Sequence, residues 1–128
     1  RDSAEIFGLG AAVAYVNSLN REALNLEEQS LINSTLDALS GIPRIELIGE
    51  PAERLSVISF NIEGAHPHDV GQLLDQQGVA VRTGHHCTMP LMSRLNIPGT
   101  VRASFSFYSN QEDSRRLIEA VEKATDLL

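Results

Sequence analysis

Cysteine is almost missing from this chain of 128 residues, which contains one, Cys87. A lone cysteine cannot close an internal disulfide, and no signal peptide is read at the start, so a reducing compartment, the cytoplasm, is the expected location. Also missing is any apolar run near the roughly 20 residues that a membrane-spanning helix needs, so no membrane association is expected. Positive charge is scarce: ten Lys and Arg stand against 17 Asp and Glu, for a net charge of -7. The arginines are scattered rather than gathered into a stripe, and such a balance repels phosphate backbones. Nucleic acid is therefore excluded as an expected partner, which leaves small molecules or proteins. Repeats, low-complexity segments and linkers are absent too, and the length suits a single domain with a real core.

The periodicities that are present change character along the chain. From Ala4 to Leu19, Ile6, Phe7, Leu9, Val13, Val16 and Leu19 recur mostly at helical spacing, which predicts a helix burying one face. A second helix is expected from Leu24 to Leu39, with Glu22, Glu27 and Glu28 near its start and Gly41 and Pro43 ending it. The period then becomes strand-like over 44–48, a turn is expected over 49–54, and Leu55–Ile62 is rich in β-favouring residues. Two successive strands suggest an antiparallel pair. Pro67 near a first turn and Gly78 at an end bracket a third helix. A strand over Val79–Arg82, a short helical turn between Met89 and Ile97, a strand over Val101–Tyr108 with Phe105 and Phe107 on one face, and a helix capped by Asn110 complete the pattern. This order favours an α+β two-layer sandwich: a small mixed or antiparallel sheet of about four strands with helices packed on it.

Arg82, Thr83, Gly84, His85, His86 and Cys87 gather the only thiol, two of the four histidines and an arginine within six residues. Thiol chemistry runs through the thiolate, which cationic neighbours such as Arg82, His85 and His86 favour. Thr83 and Gly84 suggest a turn, placing Cys87 on a loop leaving a strand, where a thiol can reach a substrate. On composition alone, however, a lone cysteine is more often a small buried hydrophobe.

The run Arg82-Thr83-Gly84-His85-His86-Cys87-Thr88-Met89-Pro90-Leu91, followed by Val101-Arg102-Ala103-Ser104, closely resembles the C-terminal part of pyridoxal-phosphate-dependent cysteine desulfurases of the SufS and CsdA type, in the class V aminotransferase superfamily. Phe7-Gly8-Leu9-Gly10-Ala11-Ala12 and Asp69-Val70-Gly71 also resemble that family's segments, while Tyr108-Ser109-Asn110 departs slightly from its usual Tyr-Asn-Thr. The resemblance implies that residues 1–128 form a single C-terminal domain of a transferase that converts L-cysteine, with selenocysteine an open second substrate, to L-alanine. It implies a persulfide on Cys87, delivery of sulfur to an iron-sulfur assembly protein, and a homodimeric parent. By position, Arg102 resembles the residue that grips the substrate carboxylate, and a planar guanidinium suits that task because it offers two parallel hydrogen bonds. Arg82 resembles the family's site arginine, holding thiolate or substrate, and the two histidines, with Thr83 and Gly84, are expected to orient the loop or favour the thiolate.

Pyridoxal phosphate is held through a lysine amine. The one lysine, Lys123, lies in the last helix off the apolar stripe, beside Glu119 and Glu122. The expectation is therefore that the cofactor belongs to the intact parent, that none binds to these residues alone, and that the isolated piece is inactive. The alternatives are another class V aminotransferase-like domain, a protein-interaction module, or a metal-binding module using His66, His68, His85, His86 and Cys87. For zinc the residue types are suitable, but the spacing fits no closed structural site, so no metal is expected.

Overall fold

The change from helical to strand periodicity near Gly41 divides the chain into a helical beginning and an α/β remainder. In the computed structural model, residues 2–49, 51 and 54–128 are described; the turn expected over 49–54 lies partly outside them. The elements in order are α1 (Ser3–Ser18), α2 (Arg21–Ser40), β1 (Ile45–Leu47), β2 (Val57–Ile62), α3 (Pro67–Gln76), β3 (Arg82–Gly84), α4 (Met89–Leu95), β4 (Thr100–Ser104) and α5 (Gln111–Leu127). The strands form one sheet in the order β1-β2-β4-β3, every neighbouring pair antiparallel. This is the expected α+β arrangement, with β4 inserted between β2 and the edge strand β3.

Alternation decides which face of the sheet carries the helices. Ile58, Phe60 and Ile62 from β2 and Val101 and Ala103 from β4 join Ile32 and Leu39 of α2, Val70 and Leu74 of α3, and Leu117, Val121 and Ala124 of α5 in one buried cluster. Each of the Val, Leu, Ile and Phe side chains, fully buried, contributes about 1.5–3 kcal/mol. Within that layer α2 and α5 are tied by a hydroxyl pair. The Thr35 hydroxyl donates to the Leu31 carbonyl at 2.7 Å, so the Ser114 hydroxyl supplies the proton of the 2.6 Å Ser114–Thr35 contact.

Start and stop signals act as their chemistry requires. Pro67 opens α3, and the His68 N–H donates to the His66 side chain, which caps that helix. Asn110 accepts from the N–H groups of Glu112 and Asp113 while the Asp113 carboxylate accepts from the Asn110 N–H, a closed capping box.

Three elements differ from expectation. None of the residues of α1 is buried; Ile6, Phe7 and Leu9 are 72%, 80% and 66% exposed. Its apolar residues surround the helix, so it has no single buried face, and nothing among the described residues covers it. β4 ends at Ser104; the Phe105 N–H still bonds to the Ser56 carbonyl, but Phe107 and Tyr108 lie in a turn closed by the Ser109 N–H on the Ser106 carbonyl, so the expected strand over Val101–Tyr108 is cut short. β3 spans Arg82–Gly84 rather than Val79–Arg82, which puts Thr83 and Gly84 inside the strand instead of in a turn. Two close approaches explain that shift. A Cβ on Gly71 would collide with the Thr83 side chain, and one on Gly99 would fall 3.0 Å from the Gly84 carbonyl group. Glycine at 71 and 99 lets α3 and the Pro98-Gly99 segment press against β3.

Candidate functional site

Strand β4 sends Val101 and Ala103 into the core, so Thr100 and Arg102 belong to the opposite face of the sheet. That face is partly covered where His86 and Gly99 lie against it: Thr100 and Asn61 are buried polar residues, and the Asn61 amide donates to the Gly99 carbonyl at 2.9 Å. Arg102 faces Ser59 of β2 on one side and Arg82 of β3 on the other. Two guanidinium groups directly opposite on neighbouring strands repel. Neither takes part in an ion pair among the described residues, where the pairs join Arg115 and Arg116 to Glu112 and Glu119. The Nε of Arg102 is buried with no hydrogen-bond partner, an arrangement that ordinarily destabilises a fold.

Beyond Gly84 the chain turns back on itself between His85 and Thr88, the Thr88 N–H donating to the His85 carbonyl at 2.9 Å and the Thr88 hydroxyl to the same oxygen at 2.6 Å. The two central residues, His86 and Cys87, both have positive φ, 53° and 63°. Mirror-image turns of this kind normally recruit Gly or Asn, because a Cβ in the left-handed region costs about 1–2 kcal/mol per residue. Cys87 is exposed, which overturns the buried-hydrophobe alternative for the lone thiol.

His86 is the half-buried member of the histidine pair, with its ring hydrogen-bonded; His85 is exposed. The His86 Nε2 lies 2.9 Å from the Thr100 hydroxyl and 3.2 Å from the Thr100 carbonyl oxygen. A carbonyl only accepts, so Nε2 carries the proton and donates, leaving Nδ1 bare in the neutral ring. That Nδ1 is buried and unpartnered. Burial is the main cause holding the His86 pKa below its ordinary value; the bond to the Thr100 backbone works the other way, and Arg102, Arg82 and His85 press it down further.

The structure thus brings together Arg82, Arg102, Thr83, Gly84, His86 and Cys87 along β3, β4 and the turn that follows β3. It adds Asn61, Gly99 and Thr100, which sequence reasoning missed; the available signals were a lone amide in the apolar strand Val57–Ile62 and a Pro-Gly step just before β4. His66 and His68 sit at the head of α3, and among the described residues no group of three or more His, Cys, Asp or Glu could hold a metal ion. The concavities of about 590 and 640 Å³ are lined by other residues, while one of about 320 Å³ beside the turn has His85, Met92 and Asn96 in its lining. What remains is a surface with an accessible thiol and two guanidinium groups that have no carboxylate partner among the described residues, suited to sulfur nucleophilicity and carboxylate recognition.

The model of the family described as aminotransferase class-V matches residues 2–117. This chain belongs to the class-V aminotransferase family. The cysteine desulfurase of Serratia proteamaculans (strain 568) is 46% identical to the class-V chain over 127 residues, 99% of this chain and 31% of the relative. That of Pectobacterium carotovorum subsp. carotovorum (strain PC1) is 46% identical over 123 residues, covering 96% and 30%. The crystal structure of the Escherichia coli cysteine desulfurase CsdA, an S-sulfonic acid form, matches with a TM-score of 0.90 at 31% identity, over 100% of this chain and 32% of that one. The apo desulfurase of Thermococcus onnurineus NA1 matches at 0.87 and 34% identity, over 94% and 30%. The class-V chain therefore spans under a third of the length of these relatives, and its α+β fold is that of the desulfurase structures.

Proposed function

We propose that these residues are the C-terminal, sulfur-handling portion of a cysteine desulfurase. In this reading the paired guanidinium groups of Arg102 and Arg82 receive the carboxylate of L-cysteine, and the Cys87 thiolate takes its sulfur. The products are L-alanine and a persulfide on Cys87, which then passes the outer sulfur to an acceptor protein of iron-sulfur assembly. The observation that carries the reading is the juxtaposition of two arginines without an ion pair among the described residues, one with a buried unpartnered Nε, and an exposed thiol on the adjoining turn. An anion between the guanidinium groups relieves their repulsion and gives Arg102 an acceptor.

Pyridoxal phosphate, when bound, supplies the electron sink for breaking the carbon-sulfur bond. The described residues do not fit the task of holding it. Lys123, the one lysine of the chain, is exposed on α5, which packs against the helix-bearing face of the sheet, opposite Arg102. The amine must therefore come from the remaining length that the relatives possess, and the isolated chain is inactive. The all-round apolar helix α1 supports the same view, because a helix without a polar face is stable when covered on all sides.

The test is made on the full-length polypeptide with pyridoxal phosphate and L-cysteine, following L-alanine release and one extra sulfur atom on Cys87 by mass spectrometry. Cys87→Ala should abolish protein-bound sulfur. Arg102→Lys should lower kcat/KM roughly 10- to 100-fold, the loss of about 1.5–3 kcal/mol of charge-assisted hydrogen bonding. Undiminished sulfur transfer by Cys87→Ala would defeat the assignment.

A further inference from the structure

We propose that His86 is a positioning residue: its hydrogen bonds to Thr100 hold the sulfur-bearing turn in its left-handed form, at a fixed distance from the strand that carries Arg102. The inference rests on the proposed role of Cys87 as sulfur acceptor and adds a device that role requires.

Two adjacent non-glycine residues with positive φ persist only where the surroundings over-determine them. On the near side of the turn, Gly84 is pressed against Gly99, whose position is set by the amide of Asn61. On the far side, Thr88 bonds back to His85 and its carbonyl accepts from Leu91 and Met92 at the start of α4. These restraints bracket the turn without gripping its centre. Among the hydrogen bonds of residues 85–88, the ones that leave the local segment run from His86 to Thr100. Thr100 is a rigid anchor, 2% exposed, two positions from Arg102 on the same face of β4. The histidine thus joins, through one half-buried side chain, the backbone that bears the thiol and the strand that bears the guanidinium.

The alternative duty of an imidazole so near a thiol is proton transfer, and the geometry argues against it. An acid or base must turn a ring nitrogen toward the reactant. Here Nε2 is engaged with Thr100 and Nδ1 is buried. His86 therefore acts through the placement of Cys87 rather than on the reacting atoms.

The experiment compares His86→Ala, His86→Gln, His86→Gly, Thr100→Val and the Ala/Val double variant in the full-length holoenzyme. For each, kcat and KM for L-cysteine and the yield of persulfide on Cys87 are read, with the thermal midpoint as a folding control. His86→Ala should reduce kcat about 10- to 100-fold, the scale of a small misplacement of a reacting group, while KM changes less than about twofold because the arginines are untouched. His86→Gln, which retains a reaching donor, should recover part of that loss. Thr100→Val should slow persulfide formation, and the double variant should be no worse than His86→Ala, as expected of two groups acting as one unit. His86→Gly accepts positive φ without strain and serves where the Ala variant folds poorly; it should be folded and slow. Wild-type kcat in His86→Ala or His86→Gly, a loss that Gln does not rescue at all, or additive effects in the double variant would overturn the proposal. Cys87→Ala separates the two levels: if it is inactive in sulfur transfer while His86→Gly is unimpaired, the positioning role fails and the sulfur role stands.

Discussion

Protonating His86 would charge a half-buried ring whose second nitrogen has no acceptor, with Arg82, Arg102 and His85 as its charged neighbours. Its pKa in the folded chain accordingly lies below 6.5, the value expected in the unfolded chain. The unfolded state then binds the proton more readily, so the contribution of His86 to stability is complete above about pH 6.5 and is lost as pH falls below it toward the folded value. Urea midpoints measured between about pH 8 and pH 5 should decline through that window, and the decline should be shallower in His86→Gln. Equal slopes in the two proteins would show that the ring is not the titrating group. At this scale the site was half legible: Cys87, Arg82, Arg102 and the histidines are chemical residue types that announce themselves. Asn61, Thr100 and Gly99 do not, because their roles arise from what lies across the sheet.

Helix α1 is where local pattern and tertiary fate diverge most. Ile6, Phe7, Leu9, Val13 and Val16 do recur at three- and four-residue steps, but Ala11, Ala12, Ala14 and Tyr15 fill the spaces between them, so no polar face remains. The absence of that face, rather than the presence of the stripe, was the informative signal. The expected outcome is that Ile6→Ser and Phe7→Ser leave the unfolding free energy of the 128-residue chain within about 0.5 kcal/mol, as for exposed positions elsewhere. A loss of several kcal/mol in chemical denaturation would mean that α1 has a partner within this chain. By contrast α5, with Asn110 at its head and Leu117, Val121, Ala124 and Leu128 expected along one side, shows its start and most of its stripe in the sequence: the first three are buried, and Leu128 at the end is exposed.

For the molecule as a whole, the class of fold followed from the switch of period near Gly41 and from polar and apolar alternation in β1 and β2, but the strand order could not. Placing β4 between β2 and β3 depends on contacts between residues far apart in the chain, such as Phe60 with Val101 and Thr83 with Val101, which leave no local mark. Nor could the strand limits near Phe105 and Gly84 be read, since the glycines that set β3 answer to Thr83 and to each other across space. The resulting order has a dynamic corollary. Strand β4 is bonded on both sides and β3 on one, so amide hydrogens of β4 should exchange with deuterium at the rate of global opening, and those of β3 faster, through fraying at the edge. Matched rates in the two strands would contradict this. Of the two arms offered to an incoming carboxylate in the proposed role, the one at residue 82 can therefore yield during capture, while the one at residue 102 supplies the unmoving stop against which the bound molecule comes to rest.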